Sequence, residues 1–399
     1  MKQNDNIQKV KLIHSVYLSH KNGANTVINL LLGSTEQFSK NGIDISYLAP
    51  EEGIYSEVNG GLKGKLRKRV SKVLKDSLSY FAKTNDWAVK KALQIKEERQ
   101  GEIMARKYLS QNPPAEEVAF FHTFFSCYYY LKERHTKQHV VLVLHTNGES
   151  FKMARIYYPR LEKTSYYQEL LEKEKYVLEN VDRIVFVAQK PREIFLSQHP
   201  YVNPDKVFCV YNGVKNYTIQ HKRAGKNGVI EVCCVASISN RKGQHFIVDA
   251  LNNMNPKPKV HFTFVGDGAD KVNLEKQVVA KGLQDYITFA GVTSDVDSFL
   301  GKSDIYILPS EDEGLPMAIL EAMRASLPIV STPVGGIPEL LTNGYNGMMI
   351  RPSIEGVKEF LEQINQIDWK EMGENARRLF EERFTVEKMV DGYSKILTF

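Results

Sequence analysis

Cysteine is scarce in this chain, with four in 399 residues. Cys127 and Cys209 stand alone, and only Cys233 and Cys234 are adjacent. Neighbouring residues of a strand point to opposite faces, so that pair cannot readily chelate one metal together. No zinc or disulfide framework follows, and all four read as reduced strand or core cysteines. Long apolar runs are missing too. A spanning helix needs roughly 20 apolar residues, and the strongest run here, VVLVL at 140–144, suits a buried strand. The first residues, MKQNDNIQKVKLIH, contain neither an apolar signal core nor a small-residue cleavage site, so a cytoplasmic location is expected. There is no repeat at a solenoid period and no low-complexity tract. The dinucleotide fingerprint fails as well. Gly266 and Gly268 begin a G-x-G in FVGDGADK, but Lys271 stands where the third glycine belongs.

What is present fits a globular protein of two α/β domains. The length exceeds one ordinary core, and 42% apolar with 25% charged residues excludes wholesale disorder. The net charge of +6 is unevenly spread. Segment 61–100 carries twelve basic and four acidic residues, a local +8, so the remainder sums to −2. Within it, Leu62, Leu66, Val70, Val73, Leu74, Leu78 and Phe81 form an apolar stripe at helical spacing, with Lys and Arg on much of the opposite side. Such a stripe at 61–81 suits either an anionic membrane surface or a core-packed helix with a solvated basic face.

Apolar β-rich runs at 10–18, 43–48, 118–121, 140–144, 183–188 and 207–211 alternate with helical segments, notably 26–40, 62–81, 85–108 and 160–180. A second series at 229–235, 260–265, 286–290, 304–308, 328–331 and 347–350 alternates in the same way. This is the pattern of parallel sheets with helical crossovers. Between the series, 212–228 is polar, glycine-bearing and aperiodic, as a linker is. The expected domains are therefore 1–212 and 213–384, followed by an amphipathic helix over 385–399.

Segment 304–339 carries the most chemistry. A strand (IYIL) ends at Pro309–Ser310, a polar loop follows, and Pro316 opens a helix. Free N–H groups at such a helix start attract anions, and Gly314 lets a phosphate come close to the backbone. Glu313 and Glu321 frame this helix. A carboxylate can accept from both hydroxyls of a diol, and a nucleotide-sugar offers two. The competing reading is a capping Glu313 and a solvated Glu321. At the end of another strand, Arg241, Lys242 and Gly243 suit a diphosphate leaving group, or simply a basic surface turn. Asp295 and Asp297 form a D-x-D where a helix start is expected, so capping is favoured over metal binding.

The succession RKG, VGDG, FAGVTSDVDSFLGKSDIYILPS, EGLPMAILEAM and STPVGGIPELLTNGYNGMMI resembles the C-terminal domain of retaining glycosyltransferase family 4, closely over about 230–350. Glu313 and Glu321 match that family's E-x7-E element. The resemblance implies a GT-B fold of two Rossmann-like domains facing across a cleft, with the active site between them. It implies that Glu313 contacts the donor sugar, Glu321 holds the ribose, and Arg241 and Lys242 hold the diphosphate. Gly314 and Leu315 lie within the donor-binding element, and the nucleobase rests against Gly291 and Val292. Ser237 departs from the arginine many members carry at that strand end.

The first half is less explicit. SHKNGANTVINLL is similar to the family's N-terminal glycine loop, which faces the reaction centre. It keeps one glycine, Gly23, with Asn25 or Thr26 as the expected cap. His122, in VAFFHTFFS, matches a family histidine near the transferred sugar, and His145 ends the next strand. Either histidine also suits a satisfied core position. The family implies retention of anomeric configuration without a divalent metal or other cofactor. The implied partners are a nucleotide-sugar donor, uridine preferred to guanosine, and a glycan or lipid-linked acceptor. Many relatives use lipid-linked acceptors, so a peripheral position on the inner face of the cell membrane is compatible. An epimerase and a non-catalytic partner subunit are the competing readings on the same frame. A nucleic-acid binder lacks both motif and aromatic interleaving.

Overall fold

The computed structural model describes residues 7–18, 23–50, 81, 85–221 and 228–399. The expected helix 62–81 and the basic stripe lie outside the described residues except for Phe81, as do 222–227 of the linker. The chain forms two compact units. One comprises Met1–Phe186, Arg192–Val210 and Val390–Phe399, and the other comprises Val187–Pro191 and Tyr211–Met389.

The first unit holds β1 (Gln8–Ile13), β2 (Ile43–Leu48), β3 (Val118–Phe121), β4 (Val140–Leu144), β5 (Arg183–Phe186) and β6 (Val207–Cys209). They form one sheet in the order β2-β1-β3-β4-β5-β6, parallel throughout. A parallel sheet is covered on both faces, so its strands are apolar on both sides. Every residue of β3 is accordingly buried. Phe121, Leu142, Ile184 and Phe186 pack with Tyr108 and Tyr130 in the core.

The second unit holds β7 (Ile230–Val235), β8 (Val260–Val265), β9 (Ile287–Gly291), β10 (Ile305–Leu308), β11 (Ile329–Ser331) and β12 (Gly347–Met349). Their order is β12-β11-β10-β7-β8-β9, again parallel. This is the doubly wound Rossmann order.

Three of the departures from the sequence reading have a visible physical cause. The first strand stops at Ile13 instead of continuing to Leu18. The Asn25 amide donates to the carbonyl of Tyr17 at 2.7 Å and the Asn29 amide to that of Leu18 at 3.2 Å, which takes both carbonyls out of strand pairing. The segment 26–40 is two helices, Gly23–Leu32 and Thr35–Lys40, parted at Gly33–Ser34, where the Ser34 hydroxyl bonds the Leu30 carbonyl. Asn25 therefore lies inside the first helix, buried, and its side chain serves the strand end instead of a cap. The segment 85–108 is interrupted by a π turn, Gln94–Glu98. There Glu98 is buried and accepts from Tyr129, Tyr166 and Lys173.

Candidate active site

In an open parallel sheet, ligands bind beyond the strand carboxyl ends at the point where strand order reverses. In the second unit that point lies between β7 and β10, which pair at Ile305 with Val232 and Tyr306 with Cys233. The loops leaving these two strands are stitched together. The Glu311 N–H donates to the Arg241 carbonyl at 2.9 Å, and the Arg241 guanidinium donates to the Asp312 carbonyl at 2.6 Å. Lys242 Nζ lies 2.5 Å from Glu313 Oε1, and the Ser310 hydroxyl donates to the same oxygen at 2.6 Å. Both side chains are sheltered, with 13% of Lys242 and 7% of Glu313 exposed. Two sequence readings end here. Glu313 does not cap the helix Met317–Arg324, whose start has no side-chain cap, and Lys242 is not part of a solvated basic turn.

Backbone shape makes this convergence possible. Gly243 sits at φ +76°, and a Cβ there would meet the Pro309 carbonyl oxygen at 2.0 Å. Gly335, at φ +54°, passes so close that a Cβ would lie 1.7 Å from the Glu313 carbonyl oxygen. The Gly336 N–H donates to the Gly314 carbonyl at 2.7 Å. Leu315 beside it is buried, whereas Val292 after β9 is 58% exposed. Gly291 ends β9 and accepts at its carbonyl from the Gly266 N–H at 2.8 Å.

Glu321, on the helix Met317–Arg324, is half-buried rather than solvated. Burial pushes its carboxyl up to about 7, against the opposing pull of Arg324. Arg324 is itself buried, pairs with Asp297 and lies over the Tyr217 ring, 4.1 Å from its centroid. Asp295 accepts from the Ser298 N–H at 3.1 Å and caps its short helix. The D-x-D carboxylates are thus a cap and an ion-pair partner. Among the described residues no group of three or more His, Cys, Asp or Glu is arranged to hold a metal.

In the first unit the order reverses between β1 and β3, where Ile13 pairs with Phe121. The residues after each are histidines, His14 and His122. His122 Nδ1 lies 3.0 Å from His145 Nε2, beyond β4. His14 Nε2 lies 2.9 Å from Asn25 Oδ1. Burial lowers His14 and depresses His145 to about 4. His122 is held well below the ordinary imidazole range by burial and by its two histidine neighbours. All three are neutral at physiological pH. The Tyr393 ring lies 6.4 Å from that of His122. Gly23 opens the helix Gly23–Leu32 and is exposed. His14 is the residue that sequence reasoning missed. It was hidden in a run expected to be strand to residue 18, and only the early strand end brings it to the carboxyl edge.

Residues 216–379 match the model of the family described as glycosyl transferases group 1. An uncharacterized glycosyltransferase of Methanocaldococcus jannaschii is 30% identical over 227 residues, 56% of this chain and 61% of that protein. The Vi polysaccharide biosynthesis protein VipC/TviE of Salmonella typhi is 30% identical over 154 residues, 37% of this chain and 27% of that protein. The chain thus spans less than two thirds of either relative's length. The crystal structure of Anabaena HepE in complex with UDP-glucose aligns over 98% of this chain and 99% of its own, with a TM-score of 0.67 at 17% identity. That whole-chain match gives the fold as GT-B. No helix among the described residues is long and apolar enough to cross a membrane.

Proposed function

We propose that this chain is a glycosyltransferase that moves a sugar from a nucleotide-sugar, a UDP-sugar in preference to a GDP-sugar, to a glycan or lipid-linked acceptor. The setting is cell-envelope polysaccharide or glycolipid synthesis. The observation that carries this reading is the convergence of Arg241 with the Lys242–Glu313 pair at the β7/β10 switch point, inside the segment that matches glycosyl transferases group 1. The UDP-glucose held by the Anabaena structure and the polysaccharide role in the Salmonella relative's name support the donor and acceptor classes.

The residues divide the work as follows. An ammonium has three donors; Lys242 spends one on Glu313 and keeps two for diphosphate oxygens, beside Arg241. Glu313 takes Lys242 and Ser310 on Oε1, which leaves Oε2 to accept from hydroxyls of the donor sugar. Glu321 accepts from the ribose diol. The backbone at Gly314 and Leu315 approaches the phosphates, and that at Gly291 and Val292 receives the base. In the first unit, Gly23 and His122 serve the transferred sugar and its acceptor. The reaction breaks the bond between the anomeric carbon and the diphosphate and forms one from that carbon to the acceptor oxygen. Attack comes from the same face, so configuration is retained. The acceptor proton passes to the departing phosphate oxygen, whose charge Arg241 and Lys242 stabilise. No divalent metal is required.

The test is a screen for acceptor-free hydrolysis across UDP- and GDP-sugars, read by released nucleoside diphosphate and by the anomer of the released sugar. One UDP-sugar should be cleaved, and Arg241→Ala should weaken UDP binding by about 10- to 100-fold as a lost charge-assisted contact. Conversion of the sugar to an epimer without transfer, or no turnover of any nucleotide-sugar, would overturn the reading.

A further inference from the structure

The three histidines at the carboxyl ends of β1, β3 and β4 contain two nitrogens that the fold leaves without work. His14 Nδ1 and His122 Nε2 are buried and have no hydrogen-bond partner among the described residues. An unsatisfied buried polar atom is uncommon and each wants an explanation. For His14 the polarity of the idle nitrogen follows from its neighbours. The Tyr17 carbonyl can only accept, so the Asn25 amide nitrogen faces it, at 2.7 Å. That fixes Asn25 Oδ1 towards His14, 2.9 Å from Nε2. A carbonyl oxygen only accepts, so His14 Nε2 carries the proton. The imidazole is neutral because burial disfavours its cation. Its Nδ1 is therefore a bare lone pair, 2% of the residue being exposed.

The position matters as much as the polarity. His14 and His122 follow the paired residues Ile13 and Phe121, which are the last of β1 and β3 and mark this unit's strand-order reversal. Ligands of doubly wound sheets bind there. We propose that His14 is a further sugar-contacting residue, an obligate hydrogen-bond acceptor for a hydroxyl of the transferred sugar, and that Asn25 is the positioning residue that fixes this polarity. The inference rests on the transferase reading above. A hydroxyl that donates to His14 Nδ1 relieves the idle acceptor, and a ligand lacking that hydroxyl leaves it idle. Discrimination of this kind is stronger than apolar fit achieves.

Asn25→Asp is the informative variant, because it is nearly isosteric and still accepts from Nε2–H. Its carboxylate favours the imidazolium, so Nδ1 gains a proton and turns from acceptor to donor. Among the described residues, the other titratable groups that act on His14 are His122 and His145, both neutral. The experiment has two arms. First, the intact chain labelled with 15N-histidine is studied by long-range proton–nitrogen spectra at pH 7.5, with His14→Gln identifying the His14 signals. Wild type should show a neutral ring protonated at Nε2, and its Nδ1 resonance should move with UDP-glucose but not with UDP. Second, acceptor-free hydrolysis of UDP-glucose is followed from pH 6 to 9. His14→Phe should lower kcat/KM about tenfold, the weight of one neutral hydrogen bond, with UDP affinity held within about twofold. Asn25→Asp should match that loss at pH 6 and recover as the pH rises and His14 gives up its proton.

A cationic or Nδ1-protonated His14 in wild type overturns the proposal without any variant. So does an Nδ1 shift identical with UDP alone, or an Asn25→Asp profile parallel to wild type. Wild type that is active while the His14 and Asn25 variants behave like it sinks this inference only. Wild type inert towards UDP-glucose and towards every other UDP- and GDP-sugar sinks the transferase reading together with it.

Discussion

Glu321 holds its proton to about pH 7 because it is half-buried, and burial penalises the carboxylate more than Arg324 rewards it. The unfolded chain releases that proton near the ordinary value of 4.5. Between those two values the folded state binds more protons than the unfolded state. Stability from this group is therefore full below pH 4.5 and is lost as pH rises through 7, by about 3 kcal/mol in all. Glu321→Gln removes the penalty. Chemical denaturation at pH 8 should find the variant more stable than wild type by up to about 3 kcal/mol, with the difference vanishing by pH 4.5. UDP binding should show the opposite sign. If the ribose diol needs a carboxylate, affinity falls as pH drops below 7, by up to about tenfold per unit. Calorimetry of wild type against Glu321→Gln separates this from titration of UDP itself, because the variant retains only the ligand's own pH dependence. Equal pH profiles for the two proteins would remove Glu321 from the nucleotide site. A residue that costs stability in the empty protein and repays it on ligation is what a binding site often contains.

At the scale of elements, the short helix Val296–Leu300 shows why two aspartates in a D-x-D need not behave alike. Asp295 is its cap and Asp297 is the partner of a buried Arg324. Asparagine caps as well as aspartate, so Asp295→Asn should be silent. Asp297→Asn strands a buried guanidinium and should cost roughly 3 kcal/mol, measured by urea unfolding followed at Trp369 with Trp87 replaced by Phe. Nucleotide-sugar hydrolysis should survive EDTA in wild type, and manganese should restore nothing to Asp297→Asn. Metal-dependent turnover would reverse this assignment. The same helix illustrates what the chain discloses unaided. Caps and buried parallel strands are local: Asp295 precedes its helix by one residue, and runs such as VVLVL and IYIL are apolar on both faces whatever lies beside them. The break at Ile13 is not local, since it depends on Asn25 and Asn29 reaching back to the carbonyls of Tyr17 and Leu18. Nor is the Lys242–Glu313 contact local, because β7 and β10 are neighbours in the sheet with β8 and β9 between them in the chain. Arg241, Lys242, Glu313 and Glu321 were visible as charges at strand and helix ends. Which of them touch was not visible, and His14 was mistaken for the middle of a strand.

For the molecule as a whole, charge is unevenly distributed. A net charge of +6 conceals a segment, 61–100, that carries +8 against −2 for the remainder. Uniform basicity would attract any polyanion, whereas a basic segment whose apolar residues recur at helical spacing in the sequence suits a surface that is both anionic and oily. We propose that 61–81 docks on an anionic membrane and so brings the chain to a lipid-linked acceptor. Each basic residue near such a surface contributes about 1 kcal/mol, and the attraction falls off within a Debye length of about 8–10 Å at ordinary salt. The apolar stripe adds contact that salt does not screen. Reversing Arg67, Lys68 and Arg69 to glutamate changes the segment by six charges and leaves the donor site untouched. Sedimentation with phosphatidylserine-containing vesicles at low salt should therefore be lost in the variant, while acceptor-free nucleotide-sugar hydrolysis stays at the wild-type rate. Raising the salt should weaken wild-type binding towards that of the variant, and neutral vesicles should capture neither protein. Should wild type ignore anionic vesicles even at low ionic strength, the basic stripe is a solvated face and a soluble glycan becomes the better acceptor.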